Sequence, residues 1–211
     1  MKDSKQGISV ILPNYNGRQL LQRNLPSLFT SLEKANVPHE VLVVDDCSSD
    51  DSVMMLQQEF PQVRVIRNEH NLGFSATSNR GVHSAIHPLL CIANTDVTFT
   101  PDYFMTALPH LADPALFAVK GAIINYRNDF DDIINTEATS LLYYKRGFLR
   151  FNQRVEPRPE TFTGNVDGQF VLLGCCFICD REKMLELGGF DEIFSPFYWE
   201  DADLAIRALR R

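Results

Sequence analysis

Over its first ninety or so residues the chain repeats one pattern: a short β-branched apolar run, a polar cluster, then a longer stretch with helical spacing. The runs are Ile8 to Leu12, Glu40 to Val44, Val63 to Arg67 and Leu89 to Ala93. Short, nearly continuous apolar runs are strands buried on both faces, and helices between them supply the crossovers that parallel pairing demands. Leu20, Leu21, Leu25, Leu28 and Leu32 recur at helical spacing after Gly17, and Ser49 or Asp50 stands where it would cap a second helix carrying Val53, Met54 and Leu56. The expected fold class is α/β, with a mostly parallel, Rossmann-like central sheet and helices on both faces.

Further on, the pattern predicts a helix starting near Pro101, a strand at about Leu116 to Ile124, a strand-like run from Gln169 to Cys179, and a helix from near Arg181 that Gly188 and Gly189 end. Asn125 to about Gly168 reads as a loop-rich insertion, a candidate lid on the acceptor side. A chain of 211 residues, 45% hydrophobic, suits one domain. Its net charge of -7 argues against a nucleic-acid partner, and the cluster Lys145, Arg146 and Arg150 is too small to reverse that. The N-terminus has no apolar signal core, and the longest apolar run, FVLLGCCFIC, is about half a membrane span, so a soluble, cytoplasmic chain is expected. Five cysteines then read as reduced thiols. Cys175, Cys176 and Cys179 lack the second ligand pair of a zinc site and read as a buried strand.

Ligands of open parallel sheets bind beyond the carboxyl ends of the strands, which directs attention to the polar clusters. After the first run come Pro13, Asn14, Tyr15 and Asn16, with Tyr15 able to stack on a flat base. Asp45 and Asp46 follow the second and can accept from a base N–H or ribose hydroxyls, although paired acids also end strands in response regulators and hydrolases. The third leads into NEHNLGFSATSNRG, where Gly73 permits close backbone approach or marks an ordinary turn, and Asn79 offers an amide. The fourth leads to Asn94-Thr95-Asp96. A carboxylate there suits Mg2+ or Mn2+ when a diphosphate supplies the other oxygens; a capped turn is the alternative. Neither GxGxxG nor GxxxxGK[ST] occurs, which argues against a dinucleotide dehydrogenase and a P-loop phosphotransferase.

The C-terminal segment GGFDEIFSPFYWEDADLAIR sets Asp191, Glu192, Glu200, Asp201 and Asp203 beside aromatics that include the only tryptophan, Trp199. Carboxylates against aromatic surface have adjustable proton affinity, so one of them can act as a general base. The same acids could simply favour a helix N-terminus, and Asp203 with Arg207 has the i,i+4 spacing of a surface ion pair.

Taken in order, VILPNYNG, VLVVDDCSSDDS, NEHNLGFSATSNRG, IANTDV and the C-terminal segment resemble the family 2 inverting glycosyltransferases of GT-A fold, and among them the rhamnosyltransferase-like members. The resemblance implies a single domain, with residues 1–98 as the nucleotide-binding half and residues 99–211 as the acceptor-binding half. It also implies continuation beyond residue 211, in a region that would associate peripherally with the inner face of the membrane. The implied donor is a nucleotide-diphosphate sugar, the acceptor a glycan or lipid-linked glycan of the cell envelope, and the cofactor a divalent metal, Mg2+ or Mn2+. Carried onto this sequence, Pro13, Asn14, Tyr15, Asp45 and Asp46 would meet base and ribose, and Gly73, Phe74, Asn79, Asn94 and Thr95 would line the nucleotide pocket. Asp96 would hold the metal, with Asn94 standing where the family usually has aspartate. Asp201 would be the base, and Asp191, Trp199, Glu200, Asp203 and Arg207 would support it or face the acceptor. The rival readings are a non-catalytic nucleotide-sugar-binding module, or truncated pseudo-enzyme, and a nucleotidyltransferase, which generally carries a glycine-rich basic first loop that PNYNGR does not resemble.

Overall fold

Alternation along each strand sends side chains to two separate cores. Ile8, Val10 and Leu12 enter one, together with Val41, Val43, Leu89 and Cys91, whereas Ile11, Leu42, Val44, Leu90 and Ile92 enter the other. The computed structural model describes residues 6–127, 132–137, 139–146, 148–154, 169–171, 174–196 and 198–211. Its first part runs β1 (Ile8–Asn14), α1 (Arg18–Ala35), β2 (His39–Asp45), α2 (Ser52–Glu59), β3 (Arg64–Arg67), α3 (Phe74–Ser84), β4 (Leu89–Ala93) and α4 (Tyr103–Ala107). The remainder comprises β5 (Ala118–Val119), β6 (Ile123–Arg127), β7 (Asp132–Glu137), β8 (Thr139–Lys145), β9 (Phe148–Arg154), β10 (Gln169–Val171), β11 (Cys176–Asp180), α5 (Arg181–Glu186) and α6 (Glu200–Leu209).

The main sheet has the order β3-β2-β1-β4-β11-β5. Strands β1 to β4 are parallel, and β11 runs antiparallel to both β4 and β5. On one face α1 buries Leu21, Leu25, Leu28 and Leu32 of the expected leucine stripe, while Leu20 stays only partly buried. Removing one such buried side chain, as in Leu28→Ala, costs about 2–5 kcal/mol. The other face is covered by Val82 of α3, Met184 of α5 and Leu204 of α6. All five cysteines are free thiols, and Cys91, Cys176 and Cys179 are buried, as the strand reading of that run requires.

Four local expectations change. The second helix starts at Ser52, later than Ser49 or Asp50 would place it, because Asp50 serves two helices at once. Its carboxylate accepts the Arg18 N–H at the start of α1 (2.9 Å) and both the N–H and the hydroxyl of Ser52 at the start of α2. Burial works to raise its proton affinity, but these hydrogen bonds outweigh it and hold the Asp50 carboxyl below its ordinary value. The run from 116 to 124 is interrupted, forming β5 and then β6, and the run from 169 to 179 divides into β10 and β11. Finally, the stretch expected to be loop-rich contains antiparallel strands: β6 pairs with β7, and β8 with both β9 and β10. Such strands need only one apolar face, so they can carry many polar residues and escape a search for apolar runs. Residues 155–168 of the proposed lid lie outside the described residues. Among the described residues no helix is long and apolar enough to cross a membrane.

Candidate active site at the strand ends

From β1 the chain steps to β2 and β3 on one side, while β4 lies on the other, so the loops leaving β1 and β4 diverge and open a crevice at the carboxyl edge. Helix α1 sets the β4 side of it. Asn24, buried amid the leucine stripe, donates to the Thr95 carbonyl (2.8 Å) and accepts from the Thr98 hydroxyl (2.9 Å), while Ser27 accepts the Phe99 N–H (3.1 Å). These bonds hold the Asn94–Asp96 turn with Asp96 exposed. Asn24 was not among the expected site residues; the available signal is a polar residue inside an otherwise apolar helical stripe.

At the β1 side, Tyr15 is 58% exposed. Asn14 is buried, with its amide nitrogen donating to Asp45 (3.1 Å) and Ser48 (3.2 Å), while its Oδ1 is buried without a partner. Asp45 also accepts the Ser48 N–H (3.1 Å) and pairs with Arg67 (3.4 Å). Asp46 is buried too, and organises the next loop by accepting from Asn68 (2.7 Å), the Leu72 N–H (2.8 Å) and the Gly73 N–H (2.9 Å). Pro13 is partly buried in the last turn of the β1 ladder, opposite Val44.

The third loop is tied to the C-terminal segment. Gly73 has φ +84°, and a Cβ there would lie 2.7 Å from Ser195 Oγ and 3.0 Å from the Pro196 carbonyl. Phe74 donates its N–H to that carbonyl (3.0 Å) and packs edge-on against Phe190. Asn79 is turned to the same segment: its amide accepts the Phe190 N–H (2.8 Å) and donates to the Phe190 carbonyl (2.9 Å) and Glu192 (3.0 Å). Phe74 and Asn79 thus clamp α3 to the acidic segment, a pairing across more than a hundred residues that no local pattern reveals.

The acidic residues themselves divide. Asp191 caps the short turn after it by accepting the Ile193 N–H (3.0 Å). Asp203 pairs with Arg207 (2.7 Å), whose guanidinium also donates to the carbonyls of Leu187 and Gly189, strapping α6 to the turn before it. Tyr198 and Trp199 both take left-handed backbone, φ 83° and 75°, and Trp199 is 53% exposed immediately before α6. Glu200 is buried with Oε2 unpartnered, and burial raises its proton affinity. Asp201 accepts the Gly174 N–H (3.0 Å) at Oδ2 and the Ala202 N–H (2.8 Å) at Oδ1; burial nonetheless raises its carboxyl above the ordinary value.

Gly174 and Cys175 join the two halves of this edge. Cys176 of β11 pairs with Ala93 of β4, so the residues before it lie level with the turn after β4: the Cys175 carbonyl accepts the Asn94 N–H (2.9 Å) while Gly174 holds Asp201. The start of the Asn94–Asp96 turn and Asp201 are thereby attached to opposite ends of one short connection. Among the described residues, no three His, Cys, Asp or Glu side chains gather as a ready-made metal cluster. A lone exposed carboxylate still fits Mg2+ or Mn2+, hard cations that take one or two protein carboxylates and fill the shell with phosphate oxygens and water.

The family model "Glycosyl transferase family 2" matches residues 9–179. An uncharacterized glycosyltransferase of Haemophilus influenzae is 34% identical over 96 residues, covering 45% of this chain and 31% of its own length. The N-acetylglucosaminyl-diphospho-decaprenol L-rhamnosyltransferase of Mycobacterium tuberculosis is 25% identical over 230 residues, covering 95% of this chain and 69% of its own. The chain thus spans about a third of the Haemophilus relative and about two thirds of the mycobacterial one. Among solved structures, a mannosyltransferase from Pyrobaculum calidifontis in complex with GDP-Man and Mn2+ superposes with a TM-score of 0.63 over 95% of this chain and 51% of that one, at 20% identity. The shared architecture is the GT-A fold.

Proposed function

This chain belongs to glycosyl transferase family 2, and from that premise we propose that it moves a sugar from a nucleotide-diphosphate donor to a hydroxyl of a glycan or lipid-linked acceptor, with inversion. The observation that carries the reading is the Gly174–Cys175 connection, which is bonded to Asp201 at one end and to the Asp96 turn at the other. Such a pairing suits a displacement in which base and leaving group flank one sugar. The mycobacterial relative supports a rhamnosyltransferase-like donor and a polyprenyl-linked acceptor.

An acceptor hydroxyl is almost un-ionised near neutrality, so a carboxylate must take its proton as the oxygen attacks the anomeric carbon. Asp201 does this, its raised proton affinity making it a better base than an ordinary aspartate. Its two backbone hydrogen bonds fix the carboxylate, leaving each oxygen a further lone pair for the acceptor proton. Asp96 would hold the divalent cation, which when bound supplies charge stabilisation to the departing diphosphate. Tyr15, Asn14, Asp45 and Asp46 form the nucleoside side, and Trp199 with Asp191 the acceptor side.

A thermal-shift series with UDP-, GDP- and dTDP-sugars, with and without Mn2+, tests the reading together with turnover of Asp201→Asn. One nucleotide family should stabilise the protein in a metal-dependent way, and Asp201→Asn should keep that shift while losing transfer. Transfer that survives in Asp201→Asn overturns the assignment of the base; a wild-type protein that binds donor without transferring or hydrolysing it is a binding module.

A further inference from the structure

The strand ends carry Asp45, Asp46 and Asp96, and α6 brings Asp201 to the same edge, yet a donor diphosphate adds at least two more negative charges there. A cation held by one carboxylate offsets only part of that. Ala118 pairs with Cys179 and Val119 with Ile178, so β5 runs out at the edge where β11 begins, and Lys120 is the residue that follows it. The Lys120 Nζ lies 3.4 Å from the point a Cβ would occupy on Gly174. This is the glycine whose N–H holds Asp201, and its neighbour Cys175 takes the Asn94 N–H. The lysine charge is felt in both directions. Burial raises the proton affinity of Asp201 and, with Cys176 close by, pushes Cys175 up to about 11; Lys120 opposes the rise at both, while Asp96 adds to it at Cys175.

We propose that Lys120 is a ligand of the donor diphosphate, set between Asp201 and the Asp96 turn. The assignment rests on the glycosyltransferase reading of this site. An ammonium group is a compact point charge that suits phosphate oxygens without the planar geometry a guanidinium requires. A Cβ on Gly174 would stand in ordinary van der Waals contact with Nζ, so the ammonium group lies directly beside the backbone that holds Asp201.

Calorimetric titration in chelator, without divalent metal, separates this role from the others. The probes are whichever of UDP, GDP and dTDP binds most tightly to the wild-type protein, and the corresponding nucleoside. Lys120→Met should weaken the diphosphate by about tenfold to a hundredfold, the range for a charged hydrogen bond, and leave the nucleoside unchanged. Lys120→Arg, which retains the charge, should recover most of the loss. Unchanged diphosphate affinity in Lys120→Met, with a displaced pH–rate profile, would mean that the charge serves Asp201 alone and would overturn the proposal. Equal losses for nucleoside and diphosphate would also overturn it, as damage to the fold. If none of the three nucleotides binds the wild-type protein in chelator, the same comparison of Lys120→Met with wild type is made in Mn2+; if none binds there either, the donor-site reading itself fails, and that result is distinct from a failure confined to Lys120.

Discussion

Gly174 donates its N–H to Asp201 across 3.0 Å, so the group assigned as base is fastened to the start of β11 rather than standing free on its own helix. Burial raises the proton affinity of this carboxyl. A general base must be ionised, so the acid limb of kcat/KM should fall above the range of an ordinary aspartate. A pH–rate profile measures this, and an acid limb at or below the ordinary range would contradict the role. Asp201→Asn should lower kcat by about 10²- to 10⁴-fold.

Stability carries a second signature of Asp201. Its folded-state proton affinity exceeds its unfolded one, so the native state holds the extra proton, and stability is lost as pH rises through the folded value. Asp201→Asn removes that ionisation. Its melting temperature relative to the parent should therefore rise as pH climbs from the ordinary aspartate range through the raised folded-state value. Thermal melts of both proteins across this range provide the check, and a constant difference would argue against the shift.

Gly73→Ala should destabilise the fold by about 1–3 kcal/mol. A side chain at φ +84° is strained in itself, and its Cβ would crowd Ser195 and Pro196. Chemical denaturation gives the loss. Because the collision is with the segment leading to Glu200, the KM for acceptor should rise more than that for donor.

Asp50→Ala should cost about 1–2 kcal/mol, at the upper end for a helix cap, because one carboxylate serves both α1 and α2. Its proton affinity is depressed, so this contribution is present above the unfolded value and disappears as pH falls through the folded one. The difference between Asp50→Ala and parent should accordingly shrink in acid. Equilibrium unfolding at two pH values decides the matter.

Asn24→Ala should raise the Mn2+ concentration needed for half-maximal activity while leaving metal-free nucleotide binding intact. The amide holds Thr95 and Thr98 but touches neither Asp45 nor Asp46. Equal effects with and without metal would show that Asn24 merely supports the core.

Much of this was legible because local physics governs it. The leucine stripe of α1 and the four runs that became β1 to β4 bury both sheet faces, and that requirement is written directly in their composition. Polar residues after such strands stand at the ligand edge by topology alone. Asn79 illustrates what local pattern cannot reveal: its amide is committed to Phe190 and Glu192 by a contact between distant segments. The strands β6 to β9 were hidden for another reason, since pairing in antiparallel hairpins tolerates the mixed composition that reads as loop.

The reversal of β11 has a consequence for how relatives of this chain could diverge. Because β5 ends and β11 begins at the same edge, the intervening segment leaves the main sheet and rejoins it on the side where ligands bind. Its length and sequence can change without altering the order of the strands beneath it. Chimeras that exchange residues 121–173 between homologues should therefore inherit acceptor preference from the inserted piece and nucleotide preference from the recipient.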